Sequence, residues 1–130
     1  MSTLESIFGE VISRYTRQQA IEDGFLVDLM QNDLGPVSRQ HYKYPIACTI
    51  GVFELMKKAV EHPSCGNDYP GILHDILTMS KHGRMLDQST VLFEVIITGT
   101  GRKRTHTLKL TVGPGDDMEP VITIMLPEED

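Results

Sequence analysis

The sequence predicts an α+β fold, with about four helices packed on one face of a small antiparallel sheet that ends in a C-terminal β-meander. Three observations carry this expectation. Stretches with apolar residues at helical spacing dominate the chain up to about Gly83. From Ser89 onward the pattern switches to alternation, with glycine-rich stretches between the alternating runs. The chain has 130 residues, 40% of them hydrophobic, which suffices for one core, and no linker or internal repeat divides it. Residues 1–130 are therefore read as a single domain.

The elements follow in order. Leu4, Ile7, Phe8, Val11 and Ile12 form an apolar stripe, and Ser2 with Glu5 has capping-box spacing, so a helix is expected over Ser2–Arg14 despite Gly9. Thr16 and Gln19 make a second capping box, and Gly24 stands where a helix C′ residue belongs. Phe25 to Met30 reads as a strand buried largely on both faces, interrupted by Asp28. Gln31 to Tyr44 reads as a polar connection with a Gly35-Pro36 turn. Pro45 suits a helix first turn, and the stripe from Ile46 to Val60 predicts one long helix ending before Pro63. Lys57, Lys58 and His62 suit its C-terminal end. Asp68 as cap and Pro70 in the first turn open the next helix, with Ile72, Leu73, Ile76 and Leu77 inward and Gly83 as the stop. Val91, Phe93, Val95 and Ile97 then share one strand face, and Leu108, Leu110 and Val112 another. "GTGRKRT" joins these two strands as a hairpin loop, and Val121 to Leu126 is the last strand.

Composition narrows function by exclusion. A formal charge of -6 and a pI near 5.3 argue against sequence-independent DNA binding, which needs a basic face to displace counterions. The same charge suits docking on a basic partner. Cys48 and Cys65 form no CxxC, and no Cys/His spacing matches a zinc site. His41, His62, His74, His82 and His106 make no HxxxH or HExxH pair. No metal and no cofactor is expected, and no catalytic residue is assigned. The Met1 start shows no basic n-region or apolar h-region, and no apolar run approaches a membrane span. A cytoplasmic protein with reduced thiols is the expectation.

Three places invite a functional reading. Asp116, Asp117 and Glu119 follow a Gly-Pro-Gly turn; clustered carboxylates can hold a hard cation, but the spacing is far from an EF-hand loop. A turn that presents a docking surface for a protein partner is the reading kept. The tip at Arg102, Lys103 and Arg104 is the basic cluster of the chain, and glycines beside it could let the backbone approach a phosphate. It lacks the P-loop pattern and a following helix, so a soluble hairpin tip is the plainer account. Asp28 stands in an apolar run, where a carboxylate either does acid–base work, caps a turn, or pairs with Arg14 or Arg17. Pairing, in a structural role, is the expectation. Meander geometry adds a spatial one. The acidic turn and the basic tip fall at opposite ends of the sheet, and Glu128, Glu129 and Asp130 return to the end of the tip.

Two stretches, "YTRQQAIEDGFLVDL" and "TLKLTVGPGDDMEPVITIMLPEED", with "YPIACTI" between them, resemble a family of short uncharacterised proteins from bacteria, plasmids and phages. The resemblance covers most of the chain and transfers no catalytic residues. It implies a context: a small protein of mobile elements that counters a host defence system by binding it. The expected function is a non-catalytic binding protein that docks an acidic surface on a basic protein partner, with no direct DNA binding and no membrane. The alternative is a small anionic-ligand module, a nucleotide sponge or weak hydrolase, working through Arg102, Lys103 and Arg104.

Overall fold

The computed structural model describes residues 15–129. The helix expected over Ser2–Arg14 lies outside them. The described chain is α+β.

Helix α1 (Arg17–Glu22) has both halves of the Thr16/Gln19 capping box, and Gly24 follows at φ 83°, the left-handed geometry that spares a glycine the Cβ clash. Strand β1 is Leu26–Asp28, shorter than the expected Phe25–Met30 run. Phe25 is 61% exposed rather than buried. At the other end Asp28 turns the chain, because its Oδ1 accepts the Met30 N–H at 2.9 Å and its Oδ2 the Gln31 side-chain amide at 3.0 Å.

Two expectations are corrected here. The connection from Gln31 to Tyr44 contains helix α2 (Leu34–His41). Pro36 lies in its first turn, where no intrahelical N–H is required, so the Gly-Pro pair opens a helix instead of breaking the chain. The Gln31 carbonyl takes the Leu34 and Gly35 N–H groups at 3.2 and 3.3 Å, doing the work that a side-chain cap would otherwise do. Likewise, the long helix from Ile46 is two elements, strand β2 (Ile46–Thr49) and helix α3 (Ile50–Glu61). Thr49 ends the strand and caps the helix, accepting from Val52 N–H. Pro45 precedes the strand, and its carbonyl accepts the Ile122 N–H at 2.8 Å.

Helix α4 (Tyr69–Ser80) starts as read, with Asp68 Oδ1 accepting the Gly71 N–H at 2.7 Å and Pro70 in the first turn. Ile72, Leu73, Ile76 and Leu77 are buried. The helix stops before Gly83, and Lys81 is its C-cap. Gly83 serves a different need: a Cβ added there would lie 2.5 Å from the Leu92 carbonyl oxygen, so glycine permits a close approach to the sheet.

Strands β3 (Arg84–Met85), β4 (Thr90–Ile96), β5 (Thr105–Pro114) and β6 (Pro120–Met125) complete one six-stranded sheet of order β1-β2-β6-β5-β4-β3. β4, β5 and β6 form the expected meander. The sheet is mixed, because β2 pairs with β6 in parallel. The last strand therefore lies inside the sheet, between β2 and β5. Ile46, Cys48, Leu108, Leu110, Phe93, Val95, Ile122 and Ile124 belong to one core with residues of α3 and α4. α2 packs on α4 from the same side. α1 packs beside β1 and reaches the opposite face: Arg17 Nη1 donates to Thr123 Oγ1, which alternates with the core residues Ile122 and Ile124.

Candidate functional site

The acidic turn is built into the fold more deeply than its sequence suggests. Asp116 reaches 99 residues back along the chain, and its Oδ1 accepts the Arg17 N–H at 2.8 Å. Its Oδ2 accepts the Gln18 N–H at 3.0 Å. Thr16 Oγ1 takes the Gln19 N–H at 3.0 Å, and Gln19 Oε1 takes the Thr16 N–H at 2.9 Å. All four N–H groups that a helix N-terminus leaves without intrahelical partners are thus satisfied. The anionic acceptor also suits the positive end of the helix. Within the turn, Gly115 N–H bonds the Glu119 carbonyl at 2.6 Å and Glu119 Oε2 accepts the Asp117 N–H at 3.0 Å. The apex that remains is Asp117-Met118-Glu119. All three are exposed, Met118 by 76%, and Met118 is held at φ 67°.

Arg17 lies behind this turn. Its Nη2 donates to the Ile122 carbonyl and its Nη1 to Thr123 Oγ1, each at 2.6 Å. Burial lowers its pKa, while Asp116, Asp28 and Glu119 oppose that shift. The expected pairing of Asp28 with Arg17 is not a direct contact: Asp28 acts on Arg17 only through space, and its direct partners are Met30 N–H and the Gln31 side-chain amide, the turn cap that was the other structural option. Arg14 lies outside the described residues. Asp28 faces Ala47 in the β1–β2 ladder.

At the opposite end of the meander lies the basic tip. Its frame is neutral. Thr100 is buried, and its Oγ1 sits 3.1 Å from the carbonyls of Ile97 and Lys103 and 2.8 Å from His106 Nε2. Asn67 Nδ2 donates to the Thr98 carbonyl at 3.0 Å and to the Ala59 carbonyl at 3.3 Å, tying the loop to the end of α3. Arg102, Lys103 and Arg104 point outward and are exposed. Burial lowers the pKa of His106, and Lys103 and Lys58 lower it further, against a hydrogen bond to the Lys103 backbone that raises it. Lys58 of α3 therefore adds to the positive field of the tip, which the sequence did not show.

The tail returns to this end as expected, but its acids divide. Glu128 lines a shallow cavity with Lys103 and His106. Glu129 turns inward, its Oε1 accepting from Thr49 Oγ1 and Leu126 N–H, each at 2.7 Å. Lys109 Nζ donates to the carbonyls of Pro127 and Glu129. Asp130 lies outside the described residues.

A further cluster joins residues that sequence reasoning kept apart. His41 Nε2 lies 2.9 Å from His74 Nδ1, and Lys81 Nζ lies 2.9 Å from His41 Nδ1. Lys81 can only donate, so His41 accepts at Nδ1, carries its proton on Nε2 and donates to His74 Nδ1. The bond from Lys81 thus keeps His41 neutral. Burial lowers the pKa of His41, followed by the charges of Lys81 and His74. Beside it, Tyr42 Oη and Ser80 Oγ are 2.8 Å apart, and Lys81 stands 5.5 Å from the centre of the Tyr42 ring. These contacts clasp α2 to α4. Spacing of 33 residues between the two histidines gives no signal that a periodicity or motif search can find.

Among the described residues no group of three or more His, Cys, Asp or Glu is placed to hold a metal ion. Cys48 is buried, and burial pushes its thiol up to about 12, far from the range of a reactive thiolate. No described helix is long and apolar enough to cross a membrane. The described residues define an α+β fold with an acidic turn and a basic tip at opposite ends of its meander. A sequence model of a family of unknown function, DUF6573, matches residues 5–130, and the chain belongs to that family. No curated protein and no solved structure matches it.

Proposed function

We propose that the protein acts by binding a basic protein partner, without catalysis, through the apex Asp117-Met118-Glu119. The observation that supports this is the division of labour in the turn. Asp116 is spent on α1, while Asp117 and Glu119 flank an exposed methionine on a backbone braced by its own hydrogen bonds. A rigid apex loses little conformational entropy on docking, and methionine packs adaptably against a partner. The carboxylates steer toward positive charge. A nucleic-acid-handling protein of a host defence system is the kind of target this reading names, consistent with the resemblance to proteins of mobile elements.

The test is a pull-down from host lysate followed by titration of the captured, purified protein. Substituting Asp117→Ser and Met118→Ser together with Glu119→Gln, which keeps an acceptor for the Asp117 N–H, and with Asp116 kept, should weaken binding about tenfold or more without a large change in Tm. Affinity should also fall with added salt. Unchanged affinity would overturn the apex reading. A second reading, an anionic nucleotide held at Arg102, Lys103 and Arg104, gains support from the proximity of Lys58 to the tip. It expects nucleotides to raise Tm progressively, with the logarithm of ligand concentration once that exceeds Kd, and a flat response to millimolar nucleoside triphosphates would remove it.

A further inference from the structure

Among the described residues, the outer edge of the meander is open beyond Leu92. Ile97 N–H donates to the Arg104 carbonyl across the β4–β5 ladder, so odd-numbered residues of β4 direct their N–H and C=O groups toward β5. Even-numbered residues face the other way, as the Leu86 N–H to Thr90 carbonyl bond at 2.8 Å shows. Strand β3 pairs only with Val91 and Leu92. Beyond Leu92, Glu94 and Ile96 aim their backbone groups at a line that no described strand occupies. The chain comes from α4 and joins that line only at Arg84, just after Gly83. The side of α4 walls the gap: Asp75, Thr78 and Met79 face Glu94, Val95 and Ile96 across a groove of about 510 Å³.

Natural sheets shield such edges with charge, proline or covering elements. Here Ile96 is 64% exposed and Met79 39% exposed, apolar surface beside unpaired backbone. The charges at the groove, Asp75 and Glu94, are both acidic. We propose that this groove takes an extended basic segment of a partner protein as an added strand beside β4. This proposal is independent of the acidic apex, which lies at the far end of the β5–β6 turn.

The geometry sets the motif. Residues opposite Glu94 and Ile96 are two apart in the added strand and share one face. A lysine or arginine suits the position beside Glu94, and an aliphatic residue the position beside Ile96. The residue between them points to the opposite face, onto Met79 and Thr78 with Asp75 in reach. Main-chain hydrogen bonds supply affinity and the alternate side chains specificity. A second copy of this chain fits poorly, because edge-to-edge pairing brings the acidic grooves of two chains, each of net charge -6, against one another.

The probe is a fluorescent octapeptide alternating valine on one face with lysine and isoleucine on the other. Two companions replace lysine by glutamate, or N-methylate the amides that face β4. The lysine peptide should bind the full chain, and the N-methylated one about tenfold more weakly, as loss of backbone pairing requires. Glu94→Lys, on the solvent face of the sheet, should weaken the lysine peptide about fivefold and favour the glutamate peptide. Hydrogen exchange gives a second readout that folding alone does not mimic. The Glu94 and Ile96 amides should gain protection with the lysine peptide, while Phe93 and Val95, already bonded to β5, stay unchanged. Equal binding of the N-methylated peptide overturns the proposal, as does no binding at about 1 mM. So does a dimer in solution that Glu94→Lys dissociates, which would make a second copy the occupant.

Discussion

The two ends of the meander carry opposite charges and use them in opposite ways. In the acidic turn, charge builds the fold: Asp116 holds two N–H groups of α1 and stands near the half-buried Arg17. At the basic tip, neutral groups build the fold, and the cations are left outside. Thr100 and Asn67 organise the loop, while Arg102, Lys103 and Arg104 face solvent. A charged loop therefore says little about binding until the charges consumed by backbone donors have been subtracted. By that measure the acidic turn presents Asp117 in full and Glu119 in part, since Glu119 Oε2 holds the Asp117 N–H, and not three equivalent acids.

The contrast can be broken first at Asp116. Asp116→Ala should cost about 1–2 kcal/mol, the value of a helix cap whose acceptor is charged. Chemical denaturation should show this, and Asp117→Ala beside it should be within about 0.5 kcal/mol of the parent. Equal effects at the two positions would mean that the cap is not what Asp116 contributes.

Thr100→Val sharpens the other side. It keeps the shape and removes the hydroxyl that faces two carbonyls and His106. A loss of about 1 kcal/mol is expected, since buried acceptors lose a partner. Neutralising Arg102 and Arg104 to serine should change stability by less than about 0.5 kcal/mol. If the arginine changes cost more than Thr100→Val, the tip is held by its charges after all.

The clasp between α2 and α4 gives a smaller, pH-dependent effect. His41 has a lowered pKa in the folded chain, so the unfolded chain binds its proton more readily. Stability from this site is complete above the unfolded value near 6.5 and is lost as pH falls below it. Denaturation midpoints should therefore drop between about pH 7 and pH 5, with a shallower slope in His41→Gln. An identical slope in the variant would assign the effect elsewhere, to His106 first.

Least disruptive is a thiol count. Native protein should react at Cys65 and spare Cys48 until it is unfolded. Rapid modification of both would show that the core opens around β2.

How far the sequence could be read depends on the range of the interaction that fixes each element. α4 and the β4–β5 hairpin were legible, because a local cap and a clean alternation specify them. β2 was not, since Ile46 to Thr49 is too short for alternation to separate a strand from the helix that follows. Thr49 was the available cue, a cap residue three before Val52. α2 hid behind Gly35-Pro36, and its internal support comes from elsewhere: Ser38 Oγ donates to the Leu29 carbonyl at 2.8 Å. The sites were less legible than the fold. No local pattern announces that Asp116 meets Arg17, that His41 meets His74, or that no described strand covers the edge of β4 beyond Leu92.

The inner position of β6 also orders events in time. β1 and β2 leave the ribosome early, and β4 and β5 later, yet neither half of the sheet joins the other until residues 120–125 follow. Pairing β2 with β6 closes a loop of most of the described chain, the kind of distant contact that slows folding. Until then the Ile46 and Cys48 side of β2 has no neighbour on its β6 edge. A nascent chain stalled before Pro120 would hold an unjoined half-sheet with a bare interior edge, a target for chaperones and for aggregation. Synthesis must therefore run almost to the last described residue before the molecule acquires its centre.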